Sequence, residues 1–256
     1  GEYWIEPGSN AIRVAYQFQS GESKFVKFVI LPGWRLEEIA AALPTSGLSV
    51  SPEDFIDYTT HGYQGNHPSG NGANQSLEGF LFPGVYWLPR SASVGEIVSI
   101  FLNQFDSAVT SDLRQNFQNQ GLSLYQAVVL ASIIEKEAVI DEEKPLIASV
   151  FFNRLEKGMK LESDPTVQYA VGYDQQGNTW WKNPLYKEDL NVDSVYNTYQ
   201  YEGLPPTPIC NPGIDSLRAV AFPQKSTFLY FVARCDHSGY HNFSVTYEEH
   251  LQKICP

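Results

Sequence analysis

The sequence predicts an α+β fold, with helices and strands held in separate stretches of the chain. Amphipathic, capped helical segments crowd the middle, while β-type runs lie near the start and near the end. The two kinds do not alternate, as a doubly wound parallel sheet would require. With 256 residues, 43% of them apolar, the chain can bury one large or two modest cores, and disorder as its main state is excluded.

Residues 24–31 (KFVKFVIL) read as a strand closed by Pro32-Gly33, and residues 34–43 show helical spacing at Leu36, Ile39, Ala40 and Leu43. Residues 59–76 are mostly Gly, Asn, Ser, His and Gln. Such turn chemistry without an apolar face predicts a long loop, and the subdomain junction is expected there. Ser93 and Glu96 form a capping box, and Val94, Ile97, Val98, Phe101, Phe105, Val109 and Leu113 predict one long helix ending near Gly121. Ser123 and Gln126 offer a second box, opening a helix over residues 124–138. Asp141 is expected to cap a third, with Pro145 in its first turn, an apolar body through Phe152 and Gly158 as the stop. Asp164-Pro165 opens a short fourth that runs out at Gly172, Asp164 serving as its cap. Residues 227–234 and 241–245 read as strands, and a closing helix is expected from about Thr246.

The formal charge is −12, from 17 basic and 29 acidic residues. Residues 1–128 hold twelve acids and six bases and the remainder seventeen and eleven, so each half carries −6 and no basic domain hides in the chain. Nucleic acid and anionic membrane are poor partners for such a surface. The longest apolar stretch, residues 127–134, falls far short of the ~20 residues a membrane span needs. Gly1-Glu2-Tyr3-Trp4-Ile5 reads like the middle of a strand, so a truncated start is expected. Cys210, Cys235 and Cys255 allow one disulfide and one leftover thiol, or three free thiols. Cys235, His237 and His241 are the nearest approach to a zinc set, but no paired Cys-x-x-Cys accompanies them and no metal is expected.

The segment 124–138 carries the chemistry. Its polar arc holds only Tyr125, Ser132 and Lys136, and a helix apolar nearly all round is a buried helix. Glu135 and Glu137 nevertheless sit in it, two residues apart and so on opposite sides. A carboxylate buried in this way is either paired or raised in pKa, and in the second case it can act as a general acid. Periodicity does not choose between the two. No Gly-rich phosphate loop, Gly-x-Ser-x-Gly elbow or His-Glu-x-x-His pair is present. Trp180-Trp181 and Tyr196-Asn197-Thr198-Tyr199 supply aromatic, amide and hydroxyl groups suited to carbohydrate, though ordinary core and turn usage accounts for the Trp pair.

The runs Ala131-Ser132-Ile133-Ile134-Glu135-Lys136-Glu137, Ala148-Ser149-Val150-Phe151-Phe152-Asn153-Arg154-Leu155 and Ser163-Asp164-Pro165-Thr166-Val167 resemble the MltG (YceG-like) family of endolytic murein transglycosylases. Leu77-Glu78-Gly79-Phe80-Leu81-Phe82-Pro83, Tyr196-Asn197-Thr198-Tyr199, Gly203-Leu204-Pro205-Pro206, Pro212-Gly213 and Tyr230-Phe231-Val232-Ala233 match in the same order.

The resemblance implies a lytic transglycosylase that cuts peptidoglycan glycan strands internally, between N-acetylmuramic acid and N-acetylglucosamine, and leaves 1,6-anhydro-muramyl ends. It makes Glu137 the catalytic acid, which as carboxylate can then accept the proton of the muramyl 6-hydroxyl, and carries over Asn153, Ser163, Asp164, Tyr196, Asn197, Thr198 and Tyr199 as cleft residues. One carboxylate suffices, because the attacking hydroxyl belongs to the substrate. No cofactor is implied. Residues 1–20 look like the tail of a preceding module, 21–60 like a small LysM-like α/β glycan-binding subdomain, and 75–256 like the helix-rich catalytic domain with a short antiparallel sheet. Family members work on the outer face of the cytoplasmic membrane, held by a single-pass anchor, beside wall-synthesis enzymes. Three features depart from the pattern: the anchor is missing, the loop before Leu77 is long, and Pro205-Pro206-Thr207-Pro208-Ile209 leads into Cys210. Rival readings are a muramidase that admits water, a non-catalytic wall-binding or scaffold protein, and a pyridoxal-phosphate lyase using Lys136.

Overall fold

The computed structural model describes residues 5, 7–20, 24–70 and 76–255. Most of the expected strand at residues 1–5, and part of the loop at 59–76, lie outside the described residues. A helix that the sequence reading did not anticipate, α1 (Ala11–Ser20), opens the fold. Strand β1 (Phe25–Ile30) follows, burying Val26, Phe28 and Ile30 on one face as its alternation dictates. After the Pro32-Gly33 turn, α2 (Leu36–Ser46) buries Leu36, Ile39, Ala40 and Leu43, and runs past Leu43 through Pro44 to a left-handed stop at Gly47. Helix α3 (Pro52–Asp57), capped by Ser51, and a π-helical turn at Tyr58–Gly62 precede the loop.

Strand β2 (Gly84–Pro89) was not expected, since its apolar run, residues 85–88, is short and is bracketed by Pro83 and Pro89. It pairs antiparallel with β1, Phe25 opposite Pro89 and Ile30 opposite Gly84. The chain between them, with α2, α3 and the long loop, thus leaves and re-enters one two-stranded sheet. Gly79, in the Leu-Glu-Gly-Phe run beyond it, has φ +87, and a Cβ there would lie 2.5 Å from Pro208 and 2.9 Å from Val128, so this close approach admits only glycine.

The single long helix expected from Val94 to Gly121 is two helices, α4 (Val94–Ala108) and α5 (Ser111–Asn119). Val109 leaves helical geometry, and the Thr110 hydroxyl takes the Leu113 amide, as an N-cap does. The apolar spacing continues across the break because α5 also buries Leu113 and Phe117. Helix α6 (Leu124–Glu137) has the predicted Ser123–Gln126 capping box. A 3-10 turn, Asp141–Glu143, then leads into α7 (Lys144–Glu156). Asp141 heads that turn and pairs with Lys144 at 2.7 Å instead of capping α7. The cap position of α8 (Asp164–Val171) belongs to Ser163, one residue before the expected Asp164.

Helix α9 (Ile214–Ala221), again unanticipated, packs on α6 and α7. Strands β3 (Tyr230–Ala233) and β4 (His241–Ser244) form the second antiparallel pair, and α10 (Tyr247–Leu251) closes the fold behind a Thr246 cap. The strand β3 is shorter than residues 227–234 because preceding carbonyls serve α7: Asn153 donates to Ser226 and Phe228, and Arg154 to Leu229. The fold is therefore helix-rich α+β, with two small antiparallel two-stranded sheets among the described residues. One apolar cluster runs from β1 and α2 through α4, α6, α7 and α9, and no helix among the described residues is long and apolar enough to cross a membrane. Cys235 is bonded to Cys255, and Cys210 is a buried free thiol.

Candidate active site

Helix α6 is the buried axis of the fold. All eight side chains of residues 127–134 are buried, so its last turn is held rigidly while Glu135 and Glu137 leave it in opposite directions.

Glu135 is fully engaged. Its carboxylate accepts from the Gly213 amide at 3.0 Å and the Ser216 hydroxyl at 2.5 Å, and the Lys144 ammonium lies 3.3 Å away. Gly213 and Ser216 stand at the start of α9 and Lys144 at the start of α7, so this side chain ties three helices together. Its side chain is 9% exposed.

Among the described residues Glu137 has one hydrogen-bonding partner, the Ser163 hydroxyl, which donates at 2.5 Å. Burial pushes its carboxyl up to about 7. The Ser163 bond, which favours the charged form, works against that rise; the Asp164 charge adds to it and Arg154 opposes it. The carboxyl opens into a cleft of about 470 Å³ that is lined by Arg154, Glu162, Asp164, Tyr199, Tyr230, His241 and His250 among others.

Behind Glu137 the predicted residues fall into two groups. Asp164 and Tyr199 face the cleft and are joined by a 2.7 Å bond from the phenol to the carboxylate, which together with burial pushes the Tyr199 phenol up. Ser163 is fixed by Thr198, whose hydroxyl accepts its amide at 3.0 Å and also pairs with Thr166. Asn197 is buried and donates to the Leu190 and Val192 carbonyls, shaping the turn that presents Tyr199. Two others lie apart from the cleft. The Tyr196 hydroxyl bonds Thr207 and its ring packs on Tyr169, while Asn153 lines a separate groove of about 540 Å³ beside Ser149 and Ser226.

Arg154, Glu162, Tyr230, His241 and His250 were not singled out for this site. Arg154 stands beside Asn153 and Tyr230 heads its own run among the stretches that carry the resemblance, while His241 belongs to the nearest approach to a zinc set. In the fold Cys235 is spent in the disulfide and His241 pairs with Glu143 at 2.8 Å, so the zinc set does not assemble. Among the described residues no cluster of three His, Cys, Asp or Glu side chains is placed to hold a metal.

A raised pKa does not by itself mark the site. Glu78 is 2% exposed, and burial pushes it up to about 8. It accepts from the Leu36 amide at 3.3 Å and the Asn211 side chain at 3.2 Å, which ties α2 to the segment before α9 and leaves no room for a ligand. Lys136 sits with its ammonium 3.8 Å above the Trp181 ring, in cation–π contact, away from the cleft. What sets Glu137 apart is a proton held near neutrality together with open space beside it. An acid so placed can protonate the leaving oxygen of a bound glycoside.

The sequence matches the family described as the YceG-like family over residues 1–255. It is similar to the endolytic murein transglycosylase of Bacillus subtilis (strain 168), 32% identical over 263 residues that span 98% of this chain and 70% of that protein. It is also similar to the endolytic murein transglycosylase of Streptococcus pneumoniae serotype 2, 34% identical over 163 residues, covering 64% of this chain and 29% of that one. Among solved structures, a yceG-like protein from Listeria monocytogenes superposes with a TM-score of 0.78 at 32% identity, covering 98% of this chain and 83% of the other.

Proposed function

The chain belongs to the YceG-like family, and on that ground we propose that it is an endolytic peptidoglycan lytic transglycosylase with Glu137 as its acid. One observation carries the assignment: of the two carboxylates at the end of α6, Glu135 is held by Lys144, Ser216 and Gly213, whereas Glu137 borders a cleft with its proton held to about pH 7. The substrate is the glycan strand of peptidoglycan, cut at the bond from N-acetylmuramic acid to N-acetylglucosamine.

Glu137 gives its proton to the glycosidic oxygen as that oxygen leaves the anomeric carbon and positive charge develops there. The muramyl 6-hydroxyl then closes on the same carbon, forming the 1,6-anhydro ring and giving its own proton to the Glu137 carboxylate, which restores the acid. Ser163 fixes the carboxyl and Thr198 fixes Ser163. Asp164 and Tyr199 form a polar edge for the sugar hydroxyls. Residues 21–60 serve as the LysM-like glycan-binding unit and 75–256 as the catalytic unit. The reaction takes place on the outer face of the cytoplasmic membrane, next to wall-synthesis enzymes.

The test is digestion of intact peptidoglycan followed by mass analysis of the released muropeptides. Internal fragments ending in anhydro-muramyl groups are expected. Products heavier by one water would identify a muramidase, and binding without turnover a scaffold protein. Because the acid must be protonated, the rate is expected to fall as pH rises through about 7.

A further inference from the structure

The sheet of β3 and β4 has two outer edges, and they are treated differently. The Arg234 amide donates to the Tyr240 carbonyl at 2.8 Å, in register with the pairing of Val232 to Asn242 and of Tyr230 to Ser244. Bonded and unbonded pairs alternate along an antiparallel ladder, so Phe231 and Ala233 turn their backbone groups away from β4, and His241 and Phe243 turn theirs away from β3. On the β4 side those outward groups are taken. The Glu143 carboxylate accepts from the His241 amide at 3.0 Å, the Arg234 side chain donates to the His241 carbonyl at 3.2 Å, and the Lys253 ammonium donates to the Phe243 carbonyl at 2.7 Å.

On the β3 side Arg154 donates to the Leu229 carbonyl at 2.6 Å, and there the cover stops. Among the described residues no hydrogen bond reaches the Phe231 N–H, the Phe231 carbonyl or the Ala233 N–H. All four residues of β3, Tyr230–Ala233, line the cleft that holds Glu137. Side chains alternate between the faces of a strand, so four residues in succession meet one cavity where the strand turns its edge to it. Ala233 is exposed and Phe231 and Val232 are half-buried, which leaves this edge within reach of a ligand.

A strand edge with free donors and acceptors is a template for one more strand, and the ligand that fits it is an extended peptide. We propose that the open edge of β3 binds the peptide stem of the muramyl residue at the cut, as an added strand. The inference rests on the transglycosylase reading above, because the substrate in that reading carries a peptide on the lactyl group of its muramyl sugars. A stem residue opposite Phe231 accepts from its N–H and donates to its carbonyl, and a second stem carbonyl accepts from the Ala233 N–H. Contacts of this kind read an extended main chain more than its side chains. The edge therefore selects glycan that still bears its stems over stripped glycan.

The experiment compares release of anhydro ends from two forms of the same uncrosslinked glycan strands, one bearing its stems and one stripped of them by an amidase. Wild-type protein should show a kcat/KM about 10-fold or more higher on the stem-bearing form, the worth of a few hydrogen bonds. Ala233→Pro removes one outward N–H and spares the ladder to β4, as proline on a strand edge does. The preference should drop by about threefold or more, whereas general damage to the fold would lower both rates alike. Equal wild-type rates on the two substrates overturn the proposal, as does a folded Ala233→Pro protein that keeps the full preference. If that variant fails to fold, amide hydrogen exchange in Glu137→Gln protein decides, with Phe231 and Ala233 gaining protection from stem-bearing strands alone. Protection already complete without substrate puts another segment or a second copy on the edge and overturns the proposal, and so does equal protection by both strands. Failure of the functional reading is separate, since it would show as no anhydro ends from wild-type protein on either substrate, while the exchange of the two amides still reports the stem.

Discussion

Glu135 and Glu137 are two residues apart on one helix, yet they meet opposite surroundings. Glu135 has an ammonium, a hydroxyl and a backbone amide around it, while Glu137 has one hydroxyl and a cleft. Helical periodicity shows both carboxylates on an apolar helix and says no more, because Gly213, Ser216, Lys144 and Ser163 are brought in by the fold. The choice of Glu137 came from family resemblance; its surroundings supply the physical reason. A stability effect follows. The folded carboxyl keeps its proton to about pH 7, whereas the unfolded one loses it near 4.5. Stability therefore falls as pH rises between these values, and the whole cost is present above 7. Glu137→Gln removes that titration. The variant should be more stable than wild type at pH 8, by on the order of 1–2 kcal/mol after allowance for partial exposure, and the gap should narrow toward pH 4. Thermal unfolding at the two pH values checks this, and an equal gap at both would contradict the raised pKa.

Helix α6 works because its neighbours hold its end still. Removing the Glu135 carboxylate leaves the Lys144 ammonium, 4% exposed, with only the more exposed Asp141 as an ionic partner. Glu135→Ala should cost about 3 kcal/mol in urea unfolding, since breaking a buried pair strands its partner. Loss below about 1 kcal/mol would show that the contact does not hold α6, α7 and α9 together. The elements with strong local signals, β1, α2, α6 and the β3–β4 strands, were readable from the chain. The break at Val109 was not, because Leu113 and Phe117 continue the apolar spacing into α5. Nor were β2, α3 and α9, which run only six to eight residues and owe their form to packing.

The cleft is a long-range construction, with Glu137 from the middle of the chain, Ser163, Asp164 and Tyr199 from the next segment, and His241 and His250 from its end. That distance is why His241 and His250 were invisible as cleft residues in the sequence, whereas Ser163, Asp164 and Tyr199 fall in the runs that carry the resemblance. The Cys235–Cys255 disulfide joins the end of the chain to the residues just after β3, so the wall that carries His241 and His250 sits within or beside its loop. Reduction, or Cys255→Ser, should lower stability by about 3 kcal/mol and slow turnover, measured by unfolding and by product release in parallel. Unchanged activity would free the disulfide from any part in shaping the cleft. The even spread of negative charge makes a phosphate lattice a poor partner and says little about a mostly uncharged sugar backbone. The most direct test of Glu137 as the acid is muropeptide mass analysis of intact peptidoglycan incubated with wild-type protein and with Glu137→Gln. Anhydro-muramyl ends from the wild type and none from the folded variant are predicted, and anhydro product from Glu137→Gln at the wild-type rate would contradict the assignment.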